Sequence, residues 1–287
     1  MTPGPAHSAS SASAKASGWS VSSGERRSEA WSYYCMEAAR RATPGDARRR
    51  GSPGAVAYDA RGHGDSEWDA DQNYTLGGFV SDLLAVVRTQ PHPLVFVGAP
   101  LGGITSLIAT AENPGLARGL VLIDVVAEVE PRGAARMLDF LTAHRDGFGS
   151  LDEVADAIAA YNPHRPRPRD LDGLHKNVRL RSDGRWYWHW DPASIKIGDE
   201  PRRQADPQRL RAAAANVQVP TLLVRGAQSD VVTDAGIEDM KPLIPSAESI
   251  VVQNAGHMVA GTTTRSFSPA LNASWIPSGR KPPGTGS

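Results

Sequence analysis

Cysteine is nearly absent: the 287-residue chain has one, Cys35. No disulfide within the chain is possible, which suits a reducing compartment. Cys35 has no local signature of a catalytic thiol and reads as a spectator. An excess of charge of either sign is also missing. Lys plus Arg and Asp plus Glu number 31 each, for a formal net charge of zero. That balance gives no electrostatic basis for a nucleic-acid or anionic-membrane partner. The densest basic run, Arg48-Arg49-Arg50, reads as a solvated loop. No stretch reaches the ~18 apolar residues that span a bilayer. Residues 1–20 have no apolar core of a secretory signal, so a cytoplasmic location is expected. The eight histidines are scattered, with no H-x-x-E-H and no Cys/His set. No G-x-G-x-x-G follows a strand, so neither a metal nor a nucleotide cofactor is expected.

What is present begins at Ala55. AVAYD (55–59) is an apolar strand, followed by the Gly-punctuated loop ARGHGDS (60–66). Thr75 is placed to cap a helix running to about Arg88, with Phe79, Leu83, Leu84 and Val87 on one face. PLVFVG (93–98) is the next strand, a helix follows to about Ala111, and GLVLID (119–124) is a third strand. This alternation predicts parallel βαβ units with right-handed crossovers. The pattern then turns helical for about ninety residues. RGAARMLDFLTAHR (132–145) is amphipathic, Ser150 to Glu153 forms a capping box opening a helix to about Tyr161, and a third short helix is expected near 171–180. PQRLRAAAANV (207–217) returns to a strand, PTLLVRG (220–226), and SIVVQNAGH (249–257) is the last strand with its loop. Ahead of Ala55 only AWSYYCMEAARRA (30–42) looks helical.

Five segments in this order, DARGHGDS (59–66), VGAPLGG (97–103), GLVLID (119–124), TLLVRGAQSD (221–230) and VVQNAGH (251–257), resemble the α/β-hydrolase superfamily. Within it they look like the bacterial esterase, epoxide-hydrolase and non-haem-peroxidase branch, over about residues 55–262. The resemblance implies an α/β fold: a mostly parallel sheet flanked by helices, with a helical cap inserted between the third and fourth recognisable strands. It divides the chain into an atypical, poorly ordered segment (1–52), a core (53–130 and 217–262), a cap (131–216) and a disordered tail (263–287). It also implies a small apolar ester- or epoxide-like substrate and a nucleophile–acid–histidine triad in that chain order. Carried over by position, His257 matches the general base and Asp230 the acid, with Asp124 at the end of the third strand as the alternative acid. Asp59 and His63, in the D-x-R-G-x-G-x-S loop, read as structural.

The nucleophile position is where this chain departs. In VFVGAPLGG (95–103) a serine at position 100 would complete the G-x-S-x-G elbow, and the residue there is Pro100. Proline has no hydroxyl or thiol, so no acyl-enzyme forms on it. The elbow normally holds its nucleophile at positive φ, and proline locks φ near about −65°. The turn is therefore expected to relax, with Pro100 opening the helix and Leu101, an oxyanion donor by resemblance, displaced. Two further departures flank the core. Before the D-x-R-G loop the family carries an apolar strand and a His-Gly-Gly turn; SGERRSEAW (23–31) stands there instead, with Trp31 as a remnant. After His257 a Pro-rich segment replaces the family's amphipathic helix. Out-of-frame reading at both ends of a hydrolase gene would produce that pattern.

In the cap, RWYWHW (185–190) would put Trp186, Trp188 and Trp190 on one face of a strand and Tyr187 and His189 on the other. The three tryptophans are candidates for an apolar lid over the substrate, or simply for cap core. His189 reads as a cap surface residue. Met137, Leu138 and Leu141 read as the helix face packed on the core. Four functions follow: a hydrolase impaired at its nucleophile, a pseudoenzyme that binds a small apolar ligand, a general-base pair acting on water or on an acidic substrate proton, and a frame-disrupted gene product.

Overall fold

The computed structural model describes residues 21–23, 35–39, 55–90, 93–164, 166–195 and 206–257. The predicted disorder of the tail at 263–287 lies outside these residues, as does most of the N-terminal segment.

A seven-stranded sheet organises the chain. Its strands are β1 (Val21–Ser23), β2 (Cys35–Ala39), β3 (Ala55–Asp59), β4 (Leu94–Gly98), β5 (Ala117–Ile123), β8 (Thr221–Gly226) and β9 (Ala247–Val252), in the spatial order β1-β3-β2-β4-β5-β8-β9. From β4 to β9 all neighbours are parallel, and β4, β5 and β8 are buried almost throughout. Continuous apolar runs are what a sheet covered on both faces requires. Alternate residues go to opposite faces: Leu94, Phe96, Leu120, Leu122 and Leu223 join one core cluster, and Val95, Val97, Val121, Ile123, Leu222 and Val224 another.

The first cluster is covered by helices. α1 (Leu76–Arg88) opens at Thr75, whose hydroxyl accepts from the Gly78 N–H at 3.1 Å, and buries Phe79, Val80, Leu83, Val86 and Val87. α2 (Leu101–Glu112) buries Leu107, Ile108 and Ala109. α5 (Pro207–Asn216) adds Leu210, Ala213 and Ala214 to the same cluster. The sequence-based boundary put α5 in the cap; its apolar side is part of the core. The short α6 (Asp234–Met240) contributes Ile237 and Met240.

The N-terminal side differs from expectation in one element. Residues 35–39, inside the segment expected to be helical, form β2. This strand lies between β3 and β4 and runs antiparallel to both, pairing Ala38 with Val56 and with Phe96. Unpaired backbone at the centre of a sheet is costly, and that pairing outweighs the helix preference of Met, Glu and Ala.

The cap rises between β5 and α5. It holds α3 (Pro131–Thr142), α4 (Leu151–Tyr161), a 3-10 turn at Asp172–Lys176 and a two-stranded ribbon, β6 (Val178–Leu180) with β7 (Trp186–Trp188). The helix expected near 171–180 is thus a 3-10 turn followed by a strand. At α4 the Ser150 hydroxyl accepts from the Glu153 N–H at 3.2 Å, while the Glu153 carboxylate accepts from Gly149 N–H at 2.7 Å.

Candidate active site

The site is assembled at the carboxyl ends of β4, β5 and β8, the edge where ligands of open parallel sheets bind. Directly after β5 comes Asp124, whose φ of +54° turns the chain out of the sheet. Aspartate tolerates this left-handed conformation better than most residues. Its own N–H donates to Val224 O at 2.7 Å, holding the turn against β8.

Three groups hold the Asp124 carboxylate, which is 2% exposed. Oδ1 accepts from the Gly226 N–H at 3.2 Å. Oδ2 accepts from the Ser229 hydroxyl at 2.6 Å and lies 2.7 Å from His257 Nδ1. Ser229 is fixed in turn by Val232 N–H, which donates to its oxygen at 3.1 Å. The imidazole of His257 is buried too, and its Nε2 has no hydrogen-bond partner among the described residues. A carboxylate on Nδ1 fixes the tautomer with the proton on Nδ1 and leaves Nε2 as a free base, the arrangement of an acid–histidine pair.

The assignment of Asp230 as the acid is corrected by this geometry. Asp230 does not meet His257. Its Oδ2 accepts from Arg136 Nε at 2.7 Å, a half-exposed ion pair between the β8 loop and cap helix α3. The reason is positional: Asp124 leaves β5 directly beside β8, whereas Asp230 lies past the turn at Ser229 and points to the cap. Ser229 and Gly226, which hold Asp124, and Arg136, which holds Asp230, went unremarked in the sequence. The adjacent Ser-Asp pair at 229–230 was the only hint of them.

The turn between β4 and α2 is closed by tight glycine packing. Gly98, at the end of β4, packs so tightly on α2 that a Cβ there would come within 2.4 Å of Gly102 C and Gly103 N. A Cβ on Gly103 would lie 2.7 Å from the Cγ2 of Val125, the residue after Asp124. Between these glycines Pro100 stands as the cap residue of α2, with φ −28° and no side-chain hydrogen bond. As expected, the chain does not take positive φ at this position. Leu101 is the first helical residue, and the Ile104 N–H donates to Pro100 O at 2.9 Å.

The D-x-R-G loop is built around its own backbone. The Ser66 hydroxyl donates to Asp59 O at 2.6 Å, Asp65 N–H donates to the Asp59 carboxylate, and His63 N–H donates to Ala60 O. Arg61 forks onto Asp82 at 2.6 and 2.7 Å and reaches Asp69 at 2.8 Å. The cap's last turn is sewn into this loop: Tyr74 OH donates to Asp191 Oδ2 at 2.5 Å, and Asp191 N–H donates to Gly62 O at 2.7 Å. His63 and His189 are buried here, so His189 is not the surface residue expected. Burial lowers His63 to about 4, against a hydrogen bond from its Nδ1 to the Arg61 carbonyl that pulls the other way. Burial, with the nearby His63 adding to it, lowers His189 to about 3.

The three tryptophans are gathered into the cap's own core. Trp188 and Trp190 stack with ring centres 4.8 Å apart, and Trp188 meets Phe148 edge-on at 5.1 Å. Trp186 is half-buried against His175. Trp188 and Trp190 also line a narrow groove with Leu141, His144, Arg145 and Arg181, whose walls include none of Pro100, Asp124 or His257.

Comparison with known proteins gives a consistent picture. The model of the alpha/beta hydrolase family matches residues 16–265, so the match begins well ahead of the start near 55 expected from the motifs. An esterase of Mycobacterium tuberculosis is 31% identical over 225 residues, covering 74% of this chain and 71% of that protein. A 2-(acetamidomethylene)succinate hydrolase of Mesorhizobium japonicum is 28% identical over 214 residues, 71% of this chain and 72% of that one. Among solved structures, an alpha/beta hydrolase of Novosphingobium aromaticivorans superposes with a TM-score of 0.64 at 25% identity, covering 78% of this chain and 80% of the other.

Proposed function

This chain belongs to the alpha/beta hydrolase family, and from that premise we propose that it is an esterase-like protein that has lost covalent catalysis. One observation carries the reading: at the position matched to the nucleophile stands Pro100, while His257 is still paired to Asp124 and its Nε2 is unpartnered among the described residues.

The chemistry that remains is limited. An ester-cleaving triad passes through an acyl-enzyme on its hydroxyl, and Pro100 offers no atom to acylate. The Asp124–His257 pair retains the ability to accept a proton from water through Nε2, and general-base catalysis alone supplies about 10²–10⁴-fold. Serine-type catalysis also needs oxyanion donors at the elbow, and losing one such donor typically costs about 10²–10³ in kcat. The ligands this reading expects are small and apolar, in line with esterase relatives, with neither nucleic acid nor membrane involved. No helix of the described residues is long and apolar enough to cross a membrane, and a cytoplasmic place is part of the reading.

Rapid mixing with p-nitrophenyl acetate tests it. The natural chain is expected to release p-nitrophenol without a burst, and Pro100→Ser is expected to restore little turnover. A burst equal to one product per chain in the natural protein would overturn the proposal.

A further inference from the structure

The cap and the acid–histidine pair share one turn, residues 229–232. Its first and last residues hold the acid. The Ser229 hydroxyl donates to Asp124 Oδ2 at 2.6 Å and accepts from the Val232 N–H at 3.1 Å. The two residues between them hold cap helix α3 and its approach. Asp230 Oδ2 accepts from Arg136 Nε at 2.7 Å, and Val231 O accepts from the Glu130 N–H at 2.9 Å. Gly133 lies so close that a Cβ on it would fall 1.9 Å from Asp230 O. With only two soft dihedrals per residue, so short a turn passes a displacement on one side to the other. Arg136 reaches the histidine's side as well. Its Nη1 donates to Tyr161 O at 2.8 Å, and its guanidinium carbon lies 4.7 Å from the centre of the Tyr161 ring. The next residue, Asn162, borders the His257 loop: a Cβ on Gly256 would meet Asn162 Oδ1 at 3.8 Å and Gln228 O at 3.7 Å. The Gln228 N–H donates to Ala255 O at 2.8 Å, closing the loop against the same turn. One planar guanidinium therefore ties the segment beside Ser229 to the segment beside His257. Its donors form a rigid fork, which a lysine ammonium does not reproduce.

We propose that Arg136 of the cap is a positioning residue for the Asp124–His257 pair: seated on Asp230 and Tyr161, it fixes the Ser229 turn and the His257 loop, and with them the bond between Asp124 and His257 Nδ1. This rests on the reading of Asp124 and His257 as the surviving proton-accepting pair. Arg136 touches neither of the two and acts through their neighbours. A cap lifted off the turn leaves the imidazole without a fixed tautomer, so Nε2 is ready to accept a proton only under a seated cap. The Arg136–Asp230 pair is half-exposed and adds little to overall stability. Its effect is local, on the geometry of the pair.

The test is ¹H and ¹⁵N NMR of the His257 ring in the full chain. In the natural protein the ring is expected as the Nδ1–H tautomer, with that proton slow to exchange with solvent. Arg136→Gln is expected to keep a cooperative melt and to speed exchange of the Nδ1 proton about fivefold. Arg136→Lys keeps the charge without the fork and is expected to fall between; it carries the comparison if Arg136→Gln does not melt cooperatively. Arg167→Gln breaks a different cap ion pair, to Asp152 and Asp156, and is expected to leave the exchange rate as it is. Exchange in both Arg136 variants equal to that in the natural chain, or the same acceleration in Arg167→Gln, would overturn the positioning role. An Nε2–H tautomer in the natural chain would instead refute the pair itself, so the premise and the inference fail by different signals.

Discussion

The two halves of the site have fared differently. The acid–histidine half is complete: Asp124 is held by Gly226, Ser229 and His257, all within hydrogen-bonding distance and all buried or backbone. The elbow half has its glycine packing and its helix, and carries Pro100 at the position matched by sequence to the nucleophile. The contrast shows that neither half is held in place by the nucleophile. The carboxylate network is anchored on β8, and the elbow by the contact of β4 with α2. On the proposed reading, position 100 matters for chemistry and not for the scaffold, since Pro100 opens α2 while the packing of Gly98 and Gly103 closes the turn.

That contrast is best broken on the elbow side with Gly98→Ala. A methyl group 2.4 Å from the Gly102 and Gly103 backbone has no flexible side chain to displace. We expect a loss of about 4 kcal/mol or more in urea unfolding, or no cooperative transition. A cost below about 1 kcal/mol would show that α2 is free to shift away from β4.

On the cap side the pH dependence is next in size. His63 is about 4 in the folded chain against 6.5 when free. Its folded value is lowered, so the unfolded chain binds the extra proton between those two pH values. Stability from this group is fully present above about 6.5, falls as pH drops toward 4, and levels off below it, a loss of roughly 3 kcal/mol. His189 acts in the same direction. Denaturant midpoints measured from pH 7.5 to 4 should fall, and His63→Gln should flatten the curve. An unchanged slope in that variant would contradict the burial of a neutral imidazole at this joint.

Asp124→Ala and Asp230→Ala compare the two candidate acids directly. The first strands Ser229, the Gly226 N–H and His257 Nδ1 in a buried site and is expected to cost about 2–3 kcal/mol. The second removes a partly exposed ion pair and should cost no more than about 1 kcal/mol. The reverse ranking in thermal unfolding would return the acid role to Asp230.

Much of this scaffold was legible in the sequence. The strands around 55–59, 94–98, 117–123 and 221–226 announce themselves by short apolar runs, and Thr75 and Ser150 by capping. What was not legible depends on three dimensions. Cys35–Ala39 has helix-favouring residues and is a strand only because β3 and β4 need one between them. Asp124 and Asp230 each follow an apolar strand, and no local pattern says which faces His257. The burial of His189 comes from the D-x-R-G loop folding onto the cap's end, more than a hundred residues away in sequence, as in the Tyr74–Asp191 bond.

The most direct measurement of the central claim is the intact mass of the natural chain after incubation with a fluorophosphonate, followed by peptide mapping of residues 98–103. The expected result is an unmodified chain, because no oxygen nucleophile stands at Pro100. A stoichiometric adduct on that segment would contradict the account.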